Sequence, residues 1–177
     1  MLPAPILAAS AAFVALCIAA DLRTRRIPNL LSGLGIMTGL ALNTAYSGGD
    51  GFLASLAGLL LMAALLAMPF ALGGLGGGDV KMMGAIGALL GPRAVLVALL
   101  VGMVLGGIIM ALHLVRHGRL GSTVKAVGLM TAGSILGGSL EPLRVSAGAP
   151  GAIALPYSVP LGLGTLAVLA IAGGLGP

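Results

Sequence analysis

The stretch from Phe52 to Lys81, FLASLAGLLLMAALLAMPFALGGLGGGDVK, joins an uncharged apolar run to a cluster of glycines, after which Asp79 and Lys81 open a second apolar run. Residues 52–72 match the ~20 apolar residues that a helix needs to cross the ~30 Å hydrocarbon layer. Asp79 is one of only four acidic residues in 177. An ionisable group at the edge of hydrocarbon is costly, and among glycines that let backbones approach closely it marks a site.

Working outward, the composition assigns the rest of the chain to the same solvent. It is 59% hydrophobic and 7% charged, with 31 glycines and a mean hydropathy of +1.18, which describes an integral membrane protein. Apolar stretches occur at about Leu2 to Ala20, Leu30 to Tyr46, Phe52 to Leu72, Val80 to Leu90, Ala94 to Val115 and Ala152 to Ala172. The expected fold is therefore all-α: a polytopic membrane helix bundle of about six transmembrane helices, forming a single domain over residues 1–177. The fourth stretch reaches only about 17 Å, so it requires thinned bilayer, screening by neighbours, or failure to span.

The net charge of +5 resides in short basic runs between apolar stretches. Such runs set topology and meet anionic headgroups. No long basic face with stacking aromatics is present, so nucleic acid is not an expected partner. With the N-terminus outside and six crossings, Arg23, Arg25, Arg26, Lys81, Arg116, Arg119, Lys125 and Arg144 face the cytoplasm, leaving Arg93 outside. The first stretch reads as a retained span, because basic residues follow it rather than precede it. Residues 116–151 are expected to form a cytoplasmic or interfacial loop, within which Ala126 to Leu140 is apolar enough to be re-entrant or spanning.

This topology brings Asp21, at the end of the first helix, and Asp79, at the start of the fourth, to one membrane boundary. Asp50 and Glu141 read as loop residues. Two carboxylates in a partly dry site resist carrying two negative charges, so the pair shares a proton and titrates as a unit. The ionised partner can activate water while the protonated partner polarises a carbonyl, so peptide hydrolysis needs neither a metal nor a nucleophilic side chain. No cofactor is expected. Cys17 is the only cysteine, which rules out an internal disulfide and a multi-cysteine zinc site. His113 and His117 lie four apart but lack an evident third ligand, and read as interfacial. A Walker loop is excluded because Met82, not Ser or Thr, follows Lys81. Lys81 is expected to hold a loop, to bias Asp79, or to reach the headgroups.

Two blocks carry a family resemblance. Asp21-Leu22-Arg23-Thr24-Arg25-Arg26-Ile27-Pro28-Asn29 and Gly76-Gly77-Gly78-Asp79-Val80-Lys81 resemble the motifs of type IV prepilin peptidases, aspartic proteases of the intramembrane Gly-x-Gly-Asp class. The short apolar segment Met82 to Gly91 and the run Ala154-Leu155-Pro156-Tyr157 are also similar to that family. The resemblance implies that Asp21 and Asp79 are catalytic, with Gly76, Gly78, Lys81, Arg26, Pro28 and Asn29 supporting the motif. It implies prepilin-like substrates, cleaved at the cytoplasmic face of a bacterial inner membrane or an archaeal plasma membrane. A long insertion after the first helix and Cys-x-x-Cys pairs are both missing. The chain thus resembles short enzymes that serve Flp-type pili or archaeal pilins and archaellins, without N-methylation. Presenilin-like enzymes are a poorer match, since Ala20 rather than tyrosine precedes Asp21.

Two readings from other classes compete. A small proton-coupled transporter or channel would account for Asp79 but not for the Arg-Arg-Ile-Pro-Asn block, and would place carboxylates near the midplane. A non-catalytic pilus or secretion assembly factor would keep the fold without using the acids.

Overall fold

The computed structural model describes residues 2–118, 120–137 and 157–174. The described residues are all-helical: α1 (Ala4–Thr24), α2 (Asn29–Ala71), α3 (Gly77–Arg116), α4 (Leu120–Gly137) and α5 (Ser158–Gly174). Three of them, α1 to α3, are long and apolar enough to cross a membrane. Prolines open two of these helices, with Pro3 capping α1 and Pro28 capping α2. Their fixed φ suits a helix entrance, where a missing N–H costs nothing.

The 43 residues of α2 would extend about 64 Å if straight, twice the hydrocarbon thickness. Gly48 interrupts the helix at φ 59° and ψ −138°, a conformation that glycine reaches without a Cβ penalty. The chain reverses there. Gly51 lies directly against the Asn43 carbonyl, whereas residues eight apart in a straight helix are separated by about 12 Å. A second break occurs in α3 at Gly91, with φ 76° and ψ 174°, immediately before Pro92. Helical arms over 29–47, 49–71, 77–90 and 92–116 thus coincide with the second to fifth apolar stretches.

Pro92 explains a buried polar cluster. It has no N–H to donate to the Ala88 carbonyl four residues earlier, so that acceptor loses its helical partner. Side chains from both arms of α2 replace it. Asn43 Nδ2 shares its hydrogens among the carbonyls of Gly39 at 2.9 Å, Leu89 at 3.0 Å and Ala88 at 3.1 Å. Ser55, fully buried on the other arm, donates its hydroxyl to the same Ala88 oxygen. Because each donor covers for the other, Ser55→Ala or Asn43→Leu alone is expected to cost less than the pair. The double variant leaves the carbonyl unsatisfied, at about 1–3 kcal/mol. Thermal unfolding of the four proteins in one detergent measures this difference.

The short arm 77–90 is buried from Met82 to Leu90, with Met82, Met83, Ile86 and Leu89 wholly enclosed. Screening by neighbouring helices therefore accommodates its shortness. α3 packs mainly on α2 and α5, and Gly58 meets Gly87 backbone to backbone. Small residues permit such approach where lipid supplies no hydrophobic drive between helices.

Several boundaries differ from the sequence reading. α1 continues through Asp21 to Thr24, so that Asp21 sits inside the last turn. Gly77 and Gly78 are the first residues of α3 rather than part of a loop. Residues 120–137 form a helix where a loop was expected. Among the described elements α4 touches only α3, and Val124, Val127 and Leu129 on it are exposed. Glu141, Arg144 and the run 154–156 lie outside the described residues.

Candidate active site

α1 ends because Arg25 takes a left-handed conformation, φ 51° and ψ 31°, its N–H bonding the Asp21 carbonyl at 2.7 Å. This is a C-terminal cap in a residue with a Cβ, and the proline that follows at Pro28 stops any continuation. Thr24 strengthens the turn, its hydroxyl lying within reach of the Ala20 carbonyl at 2.9 Å and the Arg26 carbonyl at 3.0 Å. Ile27, 6% exposed, is the one link residue drawn into the core. It packs over Gly78, where an added Cβ would lie 3.5 Å from it. The apolar anchor between the two helices thus draws the end of α1 onto the start of α3.

Gly76 precedes α3 in an extended conformation, and its carbonyl accepts the Asp79 N–H at 3.1 Å. A Cβ at Gly76 would stand 3.1 Å from Asp79 Oδ2, so the lack of a side chain there leaves room for the carboxylate against the Gly76 backbone. Asp79 in the first turn also meets the positive end of the helix dipole.

These elements enclose one cavity of about 560 Å³. Both aspartates line it, half-buried, and lie close enough to repel each other. Gly76, Gly78 and Lys81 line it from α3, and Arg26, Pro28 and Asn29 from the link and the start of α2. All eight residues singled out in the sequence therefore converge on a single cavity. Arg25, Ile27 and Gly77 complete its lining.

Lys81 donates from Nζ to Asn29 Oδ1 at 2.8 Å, tying the second motif block to the first. Of the three roles open to it, the geometry favours holding the link. Lys81→Met and Asn29→Leu are each expected to slow substrate turnover about 3–10-fold through loosened positioning, and the double variant to be no slower than either alone. Initial rates for the three variants measure this coupling.

One residue at the site was not legible beforehand. Ser158, at the start of α5 and fully buried, donates its hydroxyl to Asp21 Oδ2 at 2.5 Å. The available signal was weak: Ser158 and Thr165 are polar, seven residues apart on an otherwise apolar helix, and so share one face. His113 and His117, in contrast, stack at 4.2 Å away from the cavity, with His117 Nδ1 on the His113 carbonyl.

No curated protein and no solved structure matches the chain. A family model described as the type IV leader peptidase family matches residues 8–111, more than half of the 177. That span contains both aspartates, the link between α1 and α2 and the glycines before α3, the same residues that the fold gathers around one cavity. On this match the chain belongs to the type IV leader peptidase family, a family of proteases.

Proposed function

We propose that the chain is a membrane-embedded aspartic endopeptidase that removes the basic leader from type IV prepilin-like precursors of the Flp type, or of archaeal pilins and archaellins. The observation that carries this reading is the convergence of Asp21 and Asp79 on one half-buried cavity. Two carboxylates that repel across such a space favour a state with one shared proton.

Hydrolysis then follows from their positions. The ionised carboxylate takes a proton from water as the water oxygen bonds to the scissile carbonyl carbon. The protonated carboxylate gives its proton to the carbonyl oxygen, forming a neutral tetrahedral diol. As the C–N bond breaks, the first carboxylate delivers its proton to the leaving nitrogen and the second recovers one from the diol, so both return to their starting states.

The breaks at Gly48 and Gly91 support six crossings, formed by α1, the paired arms of α2 and α3, and α5. With the basic residues of the α1–α2 link placed inside, the cavity opens at the cytoplasmic face, in a bacterial inner membrane or an archaeal plasma membrane. That is where a precursor presents a basic leader before an apolar helix. Both aspartates lie in terminal turns, at a helix boundary, whereas an ion pathway would place them near the midplane.

Co-expression with candidate precursors tests the reading. A precursor that gains mobility on a gel only when the intact chain is present supports it. Unchanged mobility across a panel of Flp-type and archaeal precursors would overturn it.

A further inference from the structure

Ser158 lies outside the family match at 8–111, so nothing but its geometry speaks for it. A serine at an N-cap ordinarily accepts an N–H of the first turn, but Ser158 is one residue inside α5, after Tyr157, whose carbonyl accepts the Leu161 N–H. Ser158 instead directs its hydroxyl proton across to α1, onto Asp21 Oδ2. Ser158 itself is 0% exposed, so its hydroxyl does not turn to solvent instead. Asp79 receives no side-chain donor among the described residues; its carboxylate is held instead by the backbone of Gly76, which is exposed. The two carboxylates are therefore held differently.

A hydrogen bond donated to a carboxylate favours its charged form, and in a coupled pair the shared proton moves to the partner whose donor is weaker and more open to water. We propose that Ser158 is a positioning residue that sets the division of labour in the pair, making Asp21 the carboxylate that activates water and Asp79 the one that carries the proton. This rests on the two-aspartate reading above. With Oδ2 engaged by Ser158, Oδ1 of Asp21 is left to take the water proton, while Asp79 protonates the carbonyl oxygen. α5 thereby contributes to the chemistry without touching substrate.

Among the described residues, the other ionisable groups facing Asp21 are Cys17 one turn earlier on α1, Arg25 and Arg26 after it, and Asp79 and Lys81 from α3. α5 contributes none among its described residues, and Asn29 from α2 is neutral. All are unchanged by substitution at 158, so a change in pH dependence there reports the lost hydrogen bond. Removing a donor from a carboxylate makes it easier to protonate, so the acid limb of the rate must move to higher pH.

The test compares kcat, KM and the pH profile of kcat/KM for wild type, Ser158→Ala, Ser158→Thr and Thr165→Ala, with Asp21→Asn and Asp79→Asn alongside. Thr165 is buried on the same helix face and among the described residues bonds only the Leu161 carbonyl, at 2.9 Å, so Thr165→Ala probes α5 packing. Ser158→Ala is expected to lower kcat about tenfold with KM within about twofold, and to move the acid limb up about one pH unit. Ser158→Thr restores the wild-type limb, and Thr165→Ala leaves it in place. The assignment is overturned if Ser158→Ala keeps the wild-type acid limb, whether or not kcat falls, or if Thr165→Ala moves the limb equally. If the aspartate variants cleave like wild type, it is instead the two-aspartate reading that fails.

Discussion

Asp21→Asn and Asp79→Asn are each expected to reduce cleavage by at least about 10²–10⁴-fold, the scale of positioned acid–base catalysis. Both variants should still insert in the membrane and fold. Asn matches Asp in size, and each position is half-buried at a helix end rather than packed in the core. At Asp21 the amide can still accept the Ser158 hydroxyl but cannot take a proton from water. The Asp79→Asn amide can still donate a hydrogen bond to a carbonyl oxygen but cannot give up a proton. The losses should not add, since in the proposed mechanism the acids act as a pair: a double variant is expected to be no worse than the poorer single one. Rates on purified precursor, with size-exclusion profiles for folding, measure this.

A large effect on stability is expected at Gly58. A methyl there would overlap the Gly87 carbonyl, which belongs to a backbone and cannot rotate away as a side chain would. Gly58→Ala must push the second arm of α2 off the buried arm of α3, at a cost of at least about 3 kcal/mol, the upper end for overpacking. Gly33 provides the contrast. An added methyl at Gly33 meets nothing within 4 Å, so Gly33→Ala is expected to be neutral or to stabilise by up to about 1 kcal/mol through helix propensity alone. Thermal unfolding of both variants in one detergent checks the opposite signs.

Much of this architecture was legible because lipid punishes exceptions. Asp21 and Asp79 stood out as charges in an apolar chain, and the gaps between apolar stretches, 47–51 and 91–93, contain the breaks now seen at Gly48 and Gly91. The eight residues chosen from two blocks all line the cavity. Less legible was anything that depends on which surfaces meet. Gly58, which meets Gly87 backbone to backbone, was one glycine among 31. Asn43 and Ser55 gave no sign of their role, because the need for them arises at Ala88, from a proline four residues further on. Ser158 is a single hydroxyl that matters only through a contact with a residue more than a hundred positions away. Lys81 was ambiguous until Asn29 appeared beside it. Ala126 to Leu140 was apolar enough to be re-entrant or spanning, but its pattern did not separate these from a loop, and the helix seen there runs over 120–137.

Mass-spectrometric mapping of the products formed when the purified chain, reconstituted in lipid vesicles, meets a prepilin-like precursor tests the central claim most directly. The account predicts one cut, between the basic leader and the apolar helix, made by the intact chain and lost in Asp21→Asn and Asp79→Asn. A cut elsewhere, or the same cut persisting in both variants, would contradict it.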